Sequence, residues 1–139
     1  MVDIVERNEV VQFRNGDFVL DVTVDSDNET VWLNREQLSQ LFGRDIKTIG
    51  KHINNALKEE LDNSTVAKFA TVQKEGNRQV TRQIEYYNLD MIISIGYRVK
   101  SKNGILFRKW ANNILREYLL KGYVVNDRHF QDIEYVTKM

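Results

Sequence analysis

Lys47, Thr48, Lys51, Asn55 and Lys58 recur at intervals of one to four residues, a spacing that gathers them onto one face if the segment is a helix. Their side chains suit the edge of a nucleic-acid duplex. A lysine reaches guanine O6 and N7 or a phosphate, and an asparagine amide pairs with the adenine edge. A second set, Lys74, Arg78 and Arg82, with Lys68 nearby, belongs to a segment patterned as a hairpin. Cations there grip phosphates or the minor groove. A third set is Arg98, Lys100, Lys102, Arg108 and Lys109, with no acidic residue between positions 98 and 109. Each set also has a plainer reading as a solvated polar face.

The charge distribution favours the first reading. Lys and Arg total 20, as do Asp and Glu, so the net charge is zero. Residues 1–30 carry eight acidic and two basic side chains, whereas residues 66–116 carry ten basic and three acidic. An acidic end and a basic end create the one-sided field that steers a protein to phosphates.

Other chemistries are hard to assemble. There is no Cys, so neither a disulfide nor a thiolate metal site can form. His52 and His129 are far apart, and neither has metal-ligand spacing to another strong ligand. Glycine-rich phosphate loops and nucleophile elbows are absent. The expectation is a non-catalytic chain with no metal, cofactor or small-molecule substrate. The N-terminus lacks a signal-like apolar run, and no stretch approaches the roughly 20 apolar residues of a membrane span. These features lead us to expect a cytoplasmic protein with no membrane partner.

The elements that must position these residues are legible from local signals. Val11 to Val24 reads as a β-hairpin turning at Asn15-Gly16, with Phe13 opposite Phe18 and Val11 opposite Leu20. Ser26 to Glu29 makes a second turn before a short strand, Thr30 to Leu33. Asn34 followed by Gln37 is a capping box for a helix ending at Gly43. Asp45 caps a second helix running to about Glu60, whose buried stripe should be Ile46, Ile49, Ile53 and Leu57. Small Ser39, turn Gly43 and aliphatic Ile49 have the spacing of a helix-turn-helix, although Arg44 and His52 stand where apolar residues are often found. Strands from Val66 to Gln73 and from Gln79 to Tyr87, joined by a turn at Lys74 to Arg78, would form a wing. Asn88 caps a third helix to about Arg98, and a basic loop follows from Lys100 to Gly104. A last helix runs from Ile105 to Lys121, closed by Gly122. Its core stripe should be Phe107, Trp110, Ala111, Ile114 and Tyr118, with Arg108, Lys109, Asn112 and Arg116 on the opposite face.

Three segments carry a resemblance to a known family: Tyr87-Asn88-Leu89-Asp90-Met91-Ile92-Ile93-Ser94-Ile95-Gly96-Tyr97-Arg98-Val99, Phe107-Arg108-Lys109-Trp110-Ala111, and Leu115-Arg116-Glu117-Tyr118 with Lys121-Gly122. Together with Thr30-Val31-Trp32-Leu33 they resemble the RhuM-like virulence-associated proteins of bacteria. The resemblance covers roughly residues 10–128. It implies a mobile-element protein similar to phage antirepressor-type DNA-binding modules, and it carries over no catalytic residues. Related chains continue well past the shared region, and they place polar residues where Ile105 and Leu106 stand here.

The expected fold is α+β: an N-terminal β-meander over residues 1–33, a winged helix-turn-helix over 34–87, C-terminal helices over 88–122 and a tail over 123–139, making one compact domain. The expected function is sequence-specific binding of double-stranded DNA in transcriptional or prophage control, with a homodimer as a further candidate assembly. The alternative is a protein-interaction module, an adaptor or antitoxin-like partner that binds no DNA.

Overall fold

In the computed structural model the described residues are 9–121; Gly122 and the tail lie outside them. The elements are β1 (Glu9–Asn15), β2 (Phe18–Asp25), β3 (Thr30–Asn34), α1 (Arg35–Phe42), α2 (Ile46–Glu59), a 3₁₀ turn (Asn63–Thr65), β4 (Val66–Glu75), β5 (Arg78–Tyr87), α3 (Leu89–Val99) and α4 (Lys102–Lys121). The class is mixed α and β, with one antiparallel sheet in the order β1-β2-β3-β5-β4.

The short strand β3 joins two hairpins. Its residues 30–32 pair with β2, and Leu33 and Asn34 pair with Tyr87 and Tyr86 of β5. The two helices α1 and α2 are inserted between β3 and β4. Their ends follow local chemistry. Asn34 Oδ1 accepts from Gln37 N while Gln37 Oε1 accepts from Asn34 N, completing the capping box. Gly43 ends α1 at a φ of 64°, a left-handed conformation that costs glycine nothing. Asp45 and Asn88 cap α2 and α3 more simply, each side chain accepting one bond, from Thr48 N and from Met91 N.

The core forms where the sheet meets all four helices. It includes Leu20, Val22, Val24 and Leu33 from the strands, Leu38, Leu41, Ile49 and Ile53 from the first helix pair, and Met91, Ile95 and Phe107 from the second. Phe13 closes one end, its ring edge-on to those of Phe107 and Trp110 at 5.3 and 5.4 Å.

Several expectations are corrected. The first turn is Gly16-Asp17, so Phe13 pairs with Leu20 and Asn15 with Phe18. Gly16 takes a φ of 63° and Asp17 does not enter the left-handed region. This is the arrangement in which glycine leads a two-residue turn, not the Asn-Gly form that needs positive φ twice. The shift leaves the same residues facing the core. The turn of the second hairpin, expected at Lys74 to Arg78, is likewise only Gly76-Asn77, and both of its strands are longer than expected. Ile46 is 47% exposed: it is the first residue of α2, whereas Ile49 and Ile53, further along the same stripe, are buried. Lys102 to Gly104 already belong to α4, so only Lys100 and Ser101 connect the last two helices. Trp110 is half-buried against the core, whereas Phe107 is wholly buried.

Candidate nucleic-acid interface

The cations of the sequence divide into those held by internal partners and those left free. Arg98 is held. Its guanidinium meets Glu59 at 3.0 Å and Glu60 at 3.3 Å, and its side chain is only 18% exposed. Arg82 is also held, by two hydrogen bonds to the Glu75 carboxylate at 2.6 and 2.8 Å. The pairing pulls Glu75 below the usual carboxylate range and raises Arg82. These two residues, grouped by sequence with phosphate-binding cations, each face a carboxylate; the Arg98 side chain is mostly enclosed, whereas the Arg82 pair is open to solvent. Arg44 has a structural task as well. It donates to the carbonyls of Phe42 and Gly43 at the end of α1 and of Val99 at the end of α3, where helix carbonyls favour a cation.

On α2, Lys47, Lys51 and Lys58 are exposed and form no salt bridge among the described residues. Ile49, Ile53 and Ala56 point into the core from the opposite side. Thr48 and Asn55 are half-buried at the edge of this face, and Asn54 is exposed. His52 is partly buried, and its pKa is lowered first by that burial and then by the positive charges of Arg98, Lys51 and Arg44. The side chain and backbone N–H of Thr48 hydrogen-bond to the Asp45 carboxylate and lower its pKa. The amino terminus of α2 is thus already supplied with an anion.

Arg35, which the sequence reading passed over, enters the site from α1. A cleft of about 350 Å³ separates α2 from the second hairpin, and Arg35, Asn54, Asn63, Lys68, Glu85 and Tyr87 line it. Arg35 Nε donates to the Tyr87 hydroxyl at 3.1 Å, and that hydroxyl donates to Glu85 at 2.6 Å. Burial and the Glu85 contact push the Tyr87 phenol up to about 12 against the opposing influence of Arg35. Gly50 makes room for this arrangement: a Cβ there would lie 2.8 Å from Arg35 Nη1. The signal in the sequence was a glycine inside a helix, which is otherwise unfavourable.

Lys74 and Arg78 are exposed beside the hairpin turn. Lys100, Lys102, Arg108 and Lys109 are exposed at the junction of α3 and α4. The structure therefore separates three groups: the α2 face with its cleft, the hairpin tip, and the α3–α4 junction.

Among the described residues no three His, Asp or Glu side chains are placed to hold a metal ion. No helix there is long and apolar enough to cross a membrane. No curated protein and no solved structure matches the chain. The model of the virulence protein RhuM family matches residues 64–138, a stretch that starts at the 3₁₀ turn, after α1 and α2. It contains the α3 and α4 segments that carried the resemblance. With more than half of its length matched, the chain belongs to the virulence protein RhuM family.

Proposed function

We propose that the chain is a non-catalytic winged helix-turn-helix protein that binds double-stranded DNA, with transcriptional or prophage control as its setting. One observation carries the reading. The helix pair is inserted between β3 and β4, and residues of α2 line one cleft together with residues at the base of the following hairpin. A winged helix-turn-helix requires this arrangement of reading helix and wing. Lys47, Lys51 and Lys58, on the outward face of α2, form no salt bridge among the described residues.

In this reading α2 lies in the major groove, and Asn54 and Asn55 are the candidates for base edges. Because Asp45 occupies the amino terminus of the helix, phosphates are met by lysines along its length. Lys74 and Arg78 hold the backbone from the hairpin tip; Arg82 and Arg98 take no part.

Titrating a labelled duplex at several salt concentrations tests the proposal. Each phosphate contact lowers log K by about 0.9 per log unit of salt. On a site selected from random duplexes, losing the asparagine that reads a base costs about 1–3 kcal/mol, with little effect on scrambled DNA. Arg78→Ala weakens both duplexes alike and flattens the salt slope by about one. Absence of binding by micromolar protein at about 50 mM salt overturns the reading. If Asn54→Ala, Asn55→Ala and Arg78→Ala all weaken both duplexes equally, α2 is not the reader.

A further inference from the structure

The junction of α3 and α4 holds a groove of about 400 Å³ that shares no lining residue with the α2 cleft. Its floor lies where the two helices come closest. A Cβ built on Gly96 would be 3.4 Å from Gly104 Cα. Ile93 and Ile105 supply apolar walls, and Tyr97, 85% exposed, stands at the mouth. Lys100, Lys102 and Arg108 also line it, and among the described residues no acidic side chain does.

None of these three cations forms a salt bridge among the described residues, whereas Arg98, next in sequence to Tyr97, is closed off by Glu59 and Glu60. A single exposed tyrosine needs no explanation. A tyrosine, two isoleucines and three unpaired cations around one concavity have the composition of an interaction hot spot. Duplex DNA would satisfy the charges but offers little to fill an apolar floor, chiefly thymine methyls set inside the major groove. A polypeptide that carries both acidic and apolar side chains satisfies both.

We infer that this groove docks an acidic segment of a partner protein. The segment seats one bulky apolar side chain between Ile93, Tyr97 and Ile105 and lays carboxylates against Lys100, Lys102 and Arg108. Arg108 can hold a carboxylate in bidentate fashion, and the ring of positive charge rejects basic segments. The inference goes beyond DNA binding and does not depend on it.

The test is selection from a random peptide library displayed on phage, using the full chain as bait. Enriched sequences should place an aromatic or large aliphatic residue among aspartates and glutamates. A labelled peptide made from them should lose at least about tenfold in affinity with Tyr97→Ser, Lys102→Glu or Arg108→Glu. The same variants should melt with the parent, since all three side chains are exposed. The inference is overturned by no enrichment, by enrichment of basic or uncharged peptides, by acidic peptides whose binding survives Tyr97→Ser, or by self-association of the chain abolished by Tyr97→Ser. The last would make a second copy the occupant. Loss of duplex DNA affinity with Tyr97→Ser, without peptide binding, would return the groove to the nucleic-acid surface and also overturn it.

Discussion

The two hairpins share a turn and differ in what they are built against. Both reverse through a glycine at positive φ followed by Asp or Asn, Gly16-Asp17 and Gly76-Asn77. In the first, Phe13, Leu20, Val22 and Val24 are buried, and Phe13 meets two rings of α4. In the second, burial is confined to the base. Tyr86 and Tyr87 are covered, Phe69 packs between Trp32 and Tyr86, and Val72 is 63% exposed. The same local chemistry therefore produces a structural wall in one place and a projecting arm in the other. A hairpin relieved of core duty is free to meet a partner, and the second carries Lys74 and Arg78 near its turn.

The sharpest way to break this contrast is to remove one side chain from each hairpin. Phe13→Ala leaves a hole among three aromatic rings and should cost about 3–5 kcal/mol, a large share of a small domain's stability. Val72→Ala should stay within about 0.5 kcal/mol. Urea denaturation of the two variants decides it; equal losses would mean that the second hairpin is also part of the core.

A smaller effect comes from the turns. Alanine at Gly16 or Gly76 meets no atom within 4 Å, so each substitution pays only the left-handed backbone penalty, about 1 kcal/mol or somewhat more. Gly16→Ala should lower the global melting temperature. Gly76→Ala should chiefly accelerate amide hydrogen exchange in the outer half of β4 and β5, where the side chains beside the turn are exposed and little holds the strands to the core. A full global loss from Gly76→Ala would tie the arm rigidly to the core.

The smallest effect is electrostatic. The folded pKa of Glu75 lies below its ordinary value of 4.5 because Arg82 holds the carboxylate. A lowered carboxylate pKa stabilises the fold above the unfolded value, and that contribution fades as pH falls through the folded value. Acidification below about pH 4.5 should therefore loosen the second hairpin around Glu75 and Arg82, and Glu75→Gln should abolish the local pH dependence. Exchange measured across that range follows it; an equal response in β1 and β2 would show that the pair is not its source.

What was legible in the sequence was local. Asn34 with Gln37, Asp45, Asn88 and Gly43 mark helix ends because a cap and its N–H partners lie within a few residues. What was not legible depended on distant groups. Asn15-Gly16 and Gly16-Asp17 are both plausible two-residue turns. The choice fixes the partner of Phe13, whose surroundings come from α4. Arg98 reads as a free cation until Glu59 and Glu60 arrive from nearly forty residues upstream. Arg35 could not be placed in the α2 cleft without Tyr87 and Glu85, and Tyr97 sits in an apolar run with nothing local to mark it as uncovered.

The glycine contact between α3 and α4 has a third member, the ring of Phe42. A Cβ on Gly96 would meet that ring at 3.2 Å, and one on Gly104 would meet it at 3.4 Å. Gly96 and Gly104 lie inside the family-matched stretch, and Phe42 lies before it. The front and rear parts of the chain are thus fitted to each other through a flat ring against two bare backbones. If the front part were exchanged for one from another protein, the side chain arriving at position 42 would have to fill the same space beside both glycines. Position 42 is therefore a place where the two halves must match in shape.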